Sequence, residues 1–239
     1  MRRIALKVTV IHGNDRQGNT YKAVELFKAE LARLGSIDYA EYFLPKDLPH
    51  FCNGCLACLV NGRERCPHSS HITPIVNDIF TSDGVILASP VYVMNVSGGM
   101  KSFLDHLFTM WIPHRPEVEL FDKIGIAITT AAGTGMRPPL KTMTRSFNYL
   151  GFKRYFSFGC RALDLERAET KVKAKVAHKA HEFYQTMLKR KSLAPRLYPK
   201  LVFAAMRPMI RSYADDSVVA RDKEYWLQKG WLDSKSPWK

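Results

Sequence analysis

The chain reads as a doubly wound α/β fold: a five-stranded parallel sheet with helices on both faces, followed by a C-terminal helical or irregular extension. Three observations predict it. Two short runs, 84–88 and 124–130, are apolar without alternation, the pattern of strands buried on both faces. Strand-like runs alternate with segments that carry apolar residues at helical spacing, so the strands are joined by right-handed crossovers and run parallel. The loops after three strands, 13–20, 89–97 and 129–135, are poor in charge and rich in small or hydroxyl residues. Ligands of such sheets bind beyond the carboxyl ends of the strands, where these loops fall.

The first strand, 4–11, is rich in Ile, Val and Leu. Val24, Leu26, Phe27, Leu31 and Leu34 make an apolar stripe on a helix predicted over 19–34, which Gly35 ends. The Tyr- and Phe-containing run 37–44 is the second strand, after which Pro45 and Pro49 open an irregular stretch holding four cysteines. Ile75, Ile79 and Phe80 mark a helix over 72–81, and the third strand, 84–88, leads into Ser89-Pro90-Val91-Tyr92. Helical patterns over 98–110 and 140–150 flank the fourth strand, 124–130. A weaker fifth strand, 154–159, precedes a long basic helix over 166–191. Composition shifts near Ser192, where Pro195, Pro199 and Pro208 break up the chain, dividing a domain at 1–191 from an extension at 192–239.

With 239 residues, 46% of them hydrophobic, the chain can furnish one large core. Its 36 basic against 22 acidic residues leave a net charge of +14, which suits an anionic partner such as a phosphorylated cofactor, a nucleic acid or an acidic membrane surface. Charge alone does not choose among them. Met-Arg-Arg at the start is followed by a run too short, and too soon interrupted by Lys7, for a signal peptide. No stretch reaches the roughly 18 apolar residues of a membrane span. With the five cysteines mostly bunched, a soluble protein of a reducing cytoplasm is expected.

The loop Gly-Asn-Asp-Arg-Gln-Gly-Asn-Thr, from Gly13 to Thr20, reads as an anion cradle. It lies where free backbone N–H groups and the helix dipole favour negative charge. It shares the Gly-x4-Gly frame of a Walker loop, but Asn19 stands at the lysine position. Of the dinucleotide fingerprint only Gly13 and Gly18 are in place. A monophosphate ligand fits better than either; an ordinary polar turn capped by Asn or Thr is the other reading.

Taken in order with Cys52-Asn53-Gly54-Cys55-Leu56-Ala57-Cys58, Asp83-Gly84, Ser89-Pro90-Val91-Tyr92 and Ser97-Gly98-Gly99-Met100-Lys101-Ser102-Phe103-Leu104-Asp105, this loop resembles those of the flavodoxin-like NAD(P)H-dependent FMN reductases. More narrowly, residues 4–160 look like the iron-sulfur flavoproteins. The resemblance implies a flavodoxin-like sheet and an FMN whose phosphate lies near Asn14, Arg16, Gly18, Asn19 and Thr20. The isoalloxazine ring would lie between Pro90, Val91, Tyr92, Met94 and Asn95 on one side and Thr130, Ala131 and Gly133 on the other. It implies an enzyme that takes a hydride from NADH or NADPH and passes electrons to a small-molecule acceptor, a quinone, nitro compound or flavin. An iron-sulfur flavoprotein carrying electrons to a protein partner is the alternative. The residues agree: the Thr20 hydroxyl can pair with phosphate, Tyr92 can stack near a flat ring, and small residues at 131–133 admit close backbone approach. Tyr92 also reads as a half-buried core residue. No side chain is assigned acid–base catalysis, since the cofactor carries the chemistry. Lys101 and Asp105, four apart, read as a structural pair.

Cys52, Cys55 and Cys58 repeat as C-x2-C-x2-C, and Cys66 follows after seven residues with Pro67 behind it. Overlapping spacing puts three thiolates on one tight loop, which suits a cubane cluster better than zinc with its two separated pairs. In the resembled family such a motif can carry a [4Fe-4S] cluster, although many relatives keep similar cysteines without a demonstrated one. Zinc with His50, His68 or His71, redox-active thiols, and buried cysteines remain open. Cys160 reads as a buried hydrophobe.

Between Lys171 and Arg211 the chain is strongly basic, with Glu182 the only carboxylate, and Leu197, Leu201, Phe203, Met206 and Ile210 are interleaved. Such a segment can lie on an anionic membrane. Packing on its own domain or on a neighbouring subunit of a homo-oligomer is favoured, because Trp226, Trp231 and Trp238 need somewhere to dock. No motif supports nucleic-acid binding.

Overall fold

A computed structural model of the chain describes residues 5–167, 169–233 and 235–238. Five strands, β1 (Leu6–His12), β2 (Ile37–Phe43), β3 (Gly84–Pro90), β4 (Ile124–Ala131) and β5 (Arg154–Arg161), form one sheet in the order β2-β1-β3-β4-β5. Every pairing is parallel. This is the flavodoxin-like order, and the direction in which the chain winds reverses between β1 and β3.

The two faces of the sheet carry separate cores. On one, Ala23, Val24, Phe27 and Leu31 of α1 (Asn19–Ala32) and Val172, Val176, Ala180 and Phe183 of α7 (Thr170–Lys189) cover Val8, Val10 and Ile126. On the other, α3 (Ser69–Thr81), α4 (Gly98–His106) and α5 (Arg137–Tyr149) bring Ile75, Met100, Phe103 and Phe147 against Ile11, Val85 and Leu87. Burial of β3 and β4 from both sides accounts for their unbroken apolar sequences.

Several boundaries differ from those read in the sequence. Ile4, placed at the start of the first strand, lies outside the described residues. The cysteine stretch is not wholly irregular: α2 (Ala57–Asn61) and a 3₁₀ turn at Arg63–Arg65 interrupt it. The helix expected over 98–110 ends at His106, and Phe108–Met110 closes it as a 3₁₀ turn. The helix expected over 140–150 starts earlier, at Arg137, with proline in its first turn, where the missing N–H has no intrahelical partner to lose. β5 runs on to Arg161 and buries Cys160, whose thiol burial pushes up to about 11. The single helix expected over 166–191 is instead α6 (Ala162–Glu166) followed by α7.

Beyond Ser192, α8 (Leu197–Arg211) and α9 (Ala220–Gln228) build a third apolar cluster on the rest of the chain. Phe203, Ile210, Trp226, Trp231 and Leu232 pack with Ile112 and Phe121. The Trp226 ring stacks on Phe203 at 4.3 Å, and its Nε1 donates to the His114 carbonyl at 2.6 Å. No helix among the described residues is long and apolar enough to cross a membrane.

Lys123 is buried at the start of β4, donating Nζ to the carbonyls of Phe80 and Ser82. Desolvation lowers its pKa from 10.5 to about 8. Between those values the unfolded chain binds more protons than the folded one, so this group makes stability rise with pH from about 8 to 10.5. Comparing urea unfolding of the wild type and Lys123→Met across that range isolates the effect. The variant is expected to lack the wild type's rise.

Candidate functional site

Where the winding reverses, the ends of β1, β3 and β4 open into a cleft of about 470 Å³. Its walls include Asn14, Arg16, Gly18, Asn19 and Thr20 from the first loop, Pro90, Val91 and Tyr92 from the second, and Thr130 and Ala131 from the third. Thus ten residues singled out in three distant stretches share one wall system. Met94, Asn95 and Gly133 do not line it. The Asn95 side-chain oxygen is occupied by Val96 N and the Thr142 hydroxyl, and the Met94 thioether fills the space beside Gly135.

The three loops are tied to one another. Gly13 N donates to the Ala88 carbonyl at 2.7 Å, and the Ser97 hydroxyl donates to the Gly13 carbonyl. Ser97 N in turn donates to Ser89 Oγ at 2.9 Å, so the N-cap of α4 clamps the first loop to the second. Asn14 Nδ2 donates to the Tyr92 hydroxyl, and Thr20 and Thr130 share a hydroxyl hydrogen bond of 2.7 Å. The second loop turns through Val93 and Met94, both at positive φ (45° and 63°), with Tyr92 and Asn95 exchanging backbone bonds across the turn. Such a turn favours Asn-Gly. A β-branched residue at positive φ is strained, and strain of this kind concentrates at ligand-binding loops.

The first loop has the features of an anion site. The N-cap of α1 is Gly18, which makes no side-chain cap, and no acidic residue lies in the helix's first turn. A Cβ on Gly18 or Gly133 would meet no crowding from the protein: at Gly18 the nearest atom is 3.7 Å away on Arg16, and at Gly133 nothing lies within 4 Å. Neither glycine is needed for packing, and at Gly18, in the cleft wall, this leaves room for a bound group against the backbone. Gly13 is different, because its Cβ would sit 2.7 Å from Ser97 Oγ and 3.2 Å from the Ala88 carbonyl oxygen. Arg16 is exposed at the mouth. These residues fit a flavin phosphate.

The cleft wall also contains Ala132, one of the small residues expected there, and residues that sequence reasoning missed, His12, Gln17, Tyr21, Lys22, Ala88 and Ala162 among them. His12 ends β1 inside an apolar run and carried no motif; only the fold shows it beneath the first turn of α1.

The four bunched cysteines border a second hollow, shared with Arg63, His68 and His106. Burial, and then the neighbouring thiol charges, push the Cys58 thiol up; burial is also the main cause at Cys66. A bound cationic centre would reverse that cost. Among the described residues the only Cys/His/Asp/Glu group of three or more with ligand atoms within 4.8 Å of one another is Cys66, His68 and His106. Cys52, Cys55, Cys58 and Cys66 all border this one hollow, and four cysteines so gathered suit a polynuclear cluster. His106, also missed in the sequence, donates Nδ1–H to the Ser102 carbonyl at 2.7 Å and pairs Nε2 with His68 Nδ1 at 2.9 Å. His50 stacks on His68, and His71 lies edge-on to His50. Helix α4 joins the two sites: Ser97 at its start clamps the cleft, while the Ser102 hydroxyl bonds the His50 carbonyl and His106 reaches the thiol hollow. Lys101 and Asp105 form an ion pair on its outer face.

Residues 6–155 match the sequence profile of the NADPH-dependent FMN reductases. An iron-sulfur flavoprotein of Archaeoglobus fulgidus is 24% identical over 232 residues, covering 95% of this chain and all of that protein. One from Clostridioides difficile is 36% identical over 126 residues, covering 52% of this chain and 53% of its own. Among solved structures, an NADH:FMN oxidoreductase in its apo form superposes with a TM-score of 0.56 at 19% identity, covering 81% of this chain and 92% of that one. An FMN-dependent NADH-azoreductase from Bacillus anthracis, in complex with FMN, gives 0.58 at 14% identity, covering 74% and 99%.

Proposed function

From the chain's membership of the NADPH-dependent FMN reductase family, we propose that the cleft at the ends of β1, β3 and β4 holds FMN and that the thiol hollow holds a [4Fe-4S] cluster. The protein is an FMN-dependent NAD(P)H oxidoreductase. When bound, FMN accepts a hydride from the nicotinamide and passes electrons on. The chain's own residues bind and orient. Loop 13–20 presents backbone N–H groups and the Thr20 hydroxyl to the phosphate, Tyr92 and the strained turn behind it bound the ring, and Thr130 and Ala131 close the opposite wall. The acceptor is a small molecule, a quinone, nitro compound or flavin.

The single observation that carries this reading is that three loops far apart in sequence converge on one cleft at the reversal point. Purified protein is expected to show flavin absorbance, or to gain it on adding FMN, and then to oxidise NADH or NADPH. A chain that does neither overturns the reading.

A second reading, electron delivery to a protein partner, is favoured by the four thiols spread about one hollow. Cys52, Cys55, Cys58 and Cys66 would ligate the cluster. Cys58→Ser is expected to bring iron and sulfide in anaerobically purified protein to background while FMN content stays within about twofold, because no residue of the cleft wall is changed. Wild-type protein that takes up no iron under reconstitution rejects the cluster. Exposed Phe51, Tyr92, Val93 and Met94 near the two sites suit a contact between copies in a homo-oligomer, which sedimentation would detect. The segment beyond Ser192 serves as a packing extension.

A further inference from the structure

His12 is the last residue of β1 and lies directly before Gly13. The residue is 3% exposed, yet it forms part of the cleft wall. Register places it opposite Phe43 on β2, and the two rings stack at 4.4 Å and 7°. Tyr21 of α1 leans on the same imidazole at 5.5 Å. Nε2 bonds Glu41 Oε2 at 2.9 Å, and the other carboxylate oxygen of Glu41 receives Lys28 Nζ at 2.6 Å. The ring is thus gripped on its face and at one nitrogen.

The other nitrogen, Nδ1, has no hydrogen-bond partner among the described residues and is not one of the buried polar atoms sealed from solvent. Within a cleft wall, such an atom faces the cleft. Alternation along β1 puts Val8 and Val10 on the α1 side of the sheet, and His12 shares that side, beneath the uncapped first turn of α1.

We propose that His12 Nδ1 is a direct ligand of the flavin phosphate, with Glu41 and Lys28 positioning the ring, so that His12 makes the cleft prefer a flavin mononucleotide over the unphosphorylated flavin. This rests on the reading of the cleft as the FMN site. Nδ1–H would donate to a phosphate oxygen while Nε2 stays bonded to the Glu41 carboxylate. Glu41 stays ionised across the working range of pH, because the His12 hydrogen bond, opposed by desolvation and helped by Lys28, holds its carboxyl down to about 2. Arg16 and Lys22 also border the cleft, but both are exposed, whereas His12 is held in place by its neighbours Phe43, Tyr21 and Glu41.

The test compares FMN and riboflavin affinity by fluorescence quenching on full-length protein freed of flavin. His12→Phe keeps an aromatic ring on Phe43 and removes the nitrogen. It is expected to shrink the FMN-over-riboflavin preference by about 10- to 100-fold, the range for a hydrogen bond between charged groups, with riboflavin affinity moving less than about threefold. His12→Gln, which leaves a neutral donor and a partner for Glu41, retains part of the preference. Glu41→Gln loses less than His12→Phe. If His12→Phe and His12→Gln both keep the wild-type ratio, the inference falls while the FMN reading stands. If the wild type takes up neither flavin, that reading fails and the inference with it.

Discussion

Gly13→Val is expected to lower FMN affinity by about 100-fold or more, the scale at which displacing a positioning group by about 1 Å acts. Even the first added carbon meets Ser97 Oγ at 2.7 Å and the Ala88 carbonyl oxygen at 3.2 Å. Neither neighbour is free to yield, because Ser97 Oγ is bonded to the Gly13 carbonyl and near Ser89, and the Ala88 carbonyl accepts from Gly13 N. The first loop must therefore move away from the second, and the cleft between them changes shape. Overpacking of this kind also costs about 1–3 kcal/mol of stability. Gly18→Ala is the paired control. Its Cβ has ordinary van der Waals room in the protein, so unfolding should shift by less than about 1 kcal/mol. Any loss of FMN affinity then reports how closely the phosphate approaches that backbone. Titration of both variants with FMN, alongside urea unfolding, separates the effects; equal affinities for Gly13→Val and the wild type would remove the first loop from the site.

Asp222→Ala should destabilise the protein by about 3–5 kcal/mol and reduce iron retention in the same step. Asp222 lies in α9, is fully buried, and pairs its carboxylate with Arg115 and with His114 Nδ1 at 2.8 Å. Arg115 also donates to the carbonyls of Leu59 at 3.1 Å and Cys58 at 2.6 Å. The last quarter of the chain thus holds the guanidinium that holds the thiol loop. Removing the carboxylate leaves a nearly buried cation without its counter-charge, which costs more than the pair itself contributes. Urea unfolding reads the stability, and iron per chain after anaerobic desalting reads the loop. Asp222→Asn should fall between wild type and alanine on both. If iron retention is unchanged while stability drops, α9 supports the fold without supporting the thiol loop.

The fold was legible because its signals are local. β3 and β4 announce themselves as short unbroken apolar runs, and α1 by an apolar stripe at helical spacing, whatever they later pack against. Boundaries were less legible where the ends of elements answer to tertiary demands. Helix α5 starts early through a proline-rich turn, and the basic helix is interrupted beyond α6. The loops of the cleft were legible for the same local reason, since small and hydroxyl residues after a buried strand are a pattern in themselves. His12 and His106 were not: one closes a strand and the other closes a helix, and both are buried in surroundings that look like core.

By itself, then, the sequence determined the alternation of strands and helices, the three loops at strand ends, and the overlapping cysteine spacing. Each depends on neighbours within a few residues along the chain. Only the tertiary structure decided that Asn14 meets Tyr92 across 78 residues, that Thr20 meets Thr130 across 110, that Glu41 anchors His12 across 29, and that Asp222 supports the thiol loop through Arg115 across 107. Those contacts follow from the order in which parallel strands are laid beside one another and from where the tail docks. Both are set by burial of apolar faces summed over the whole sheet, a quantity no short window of residues contains.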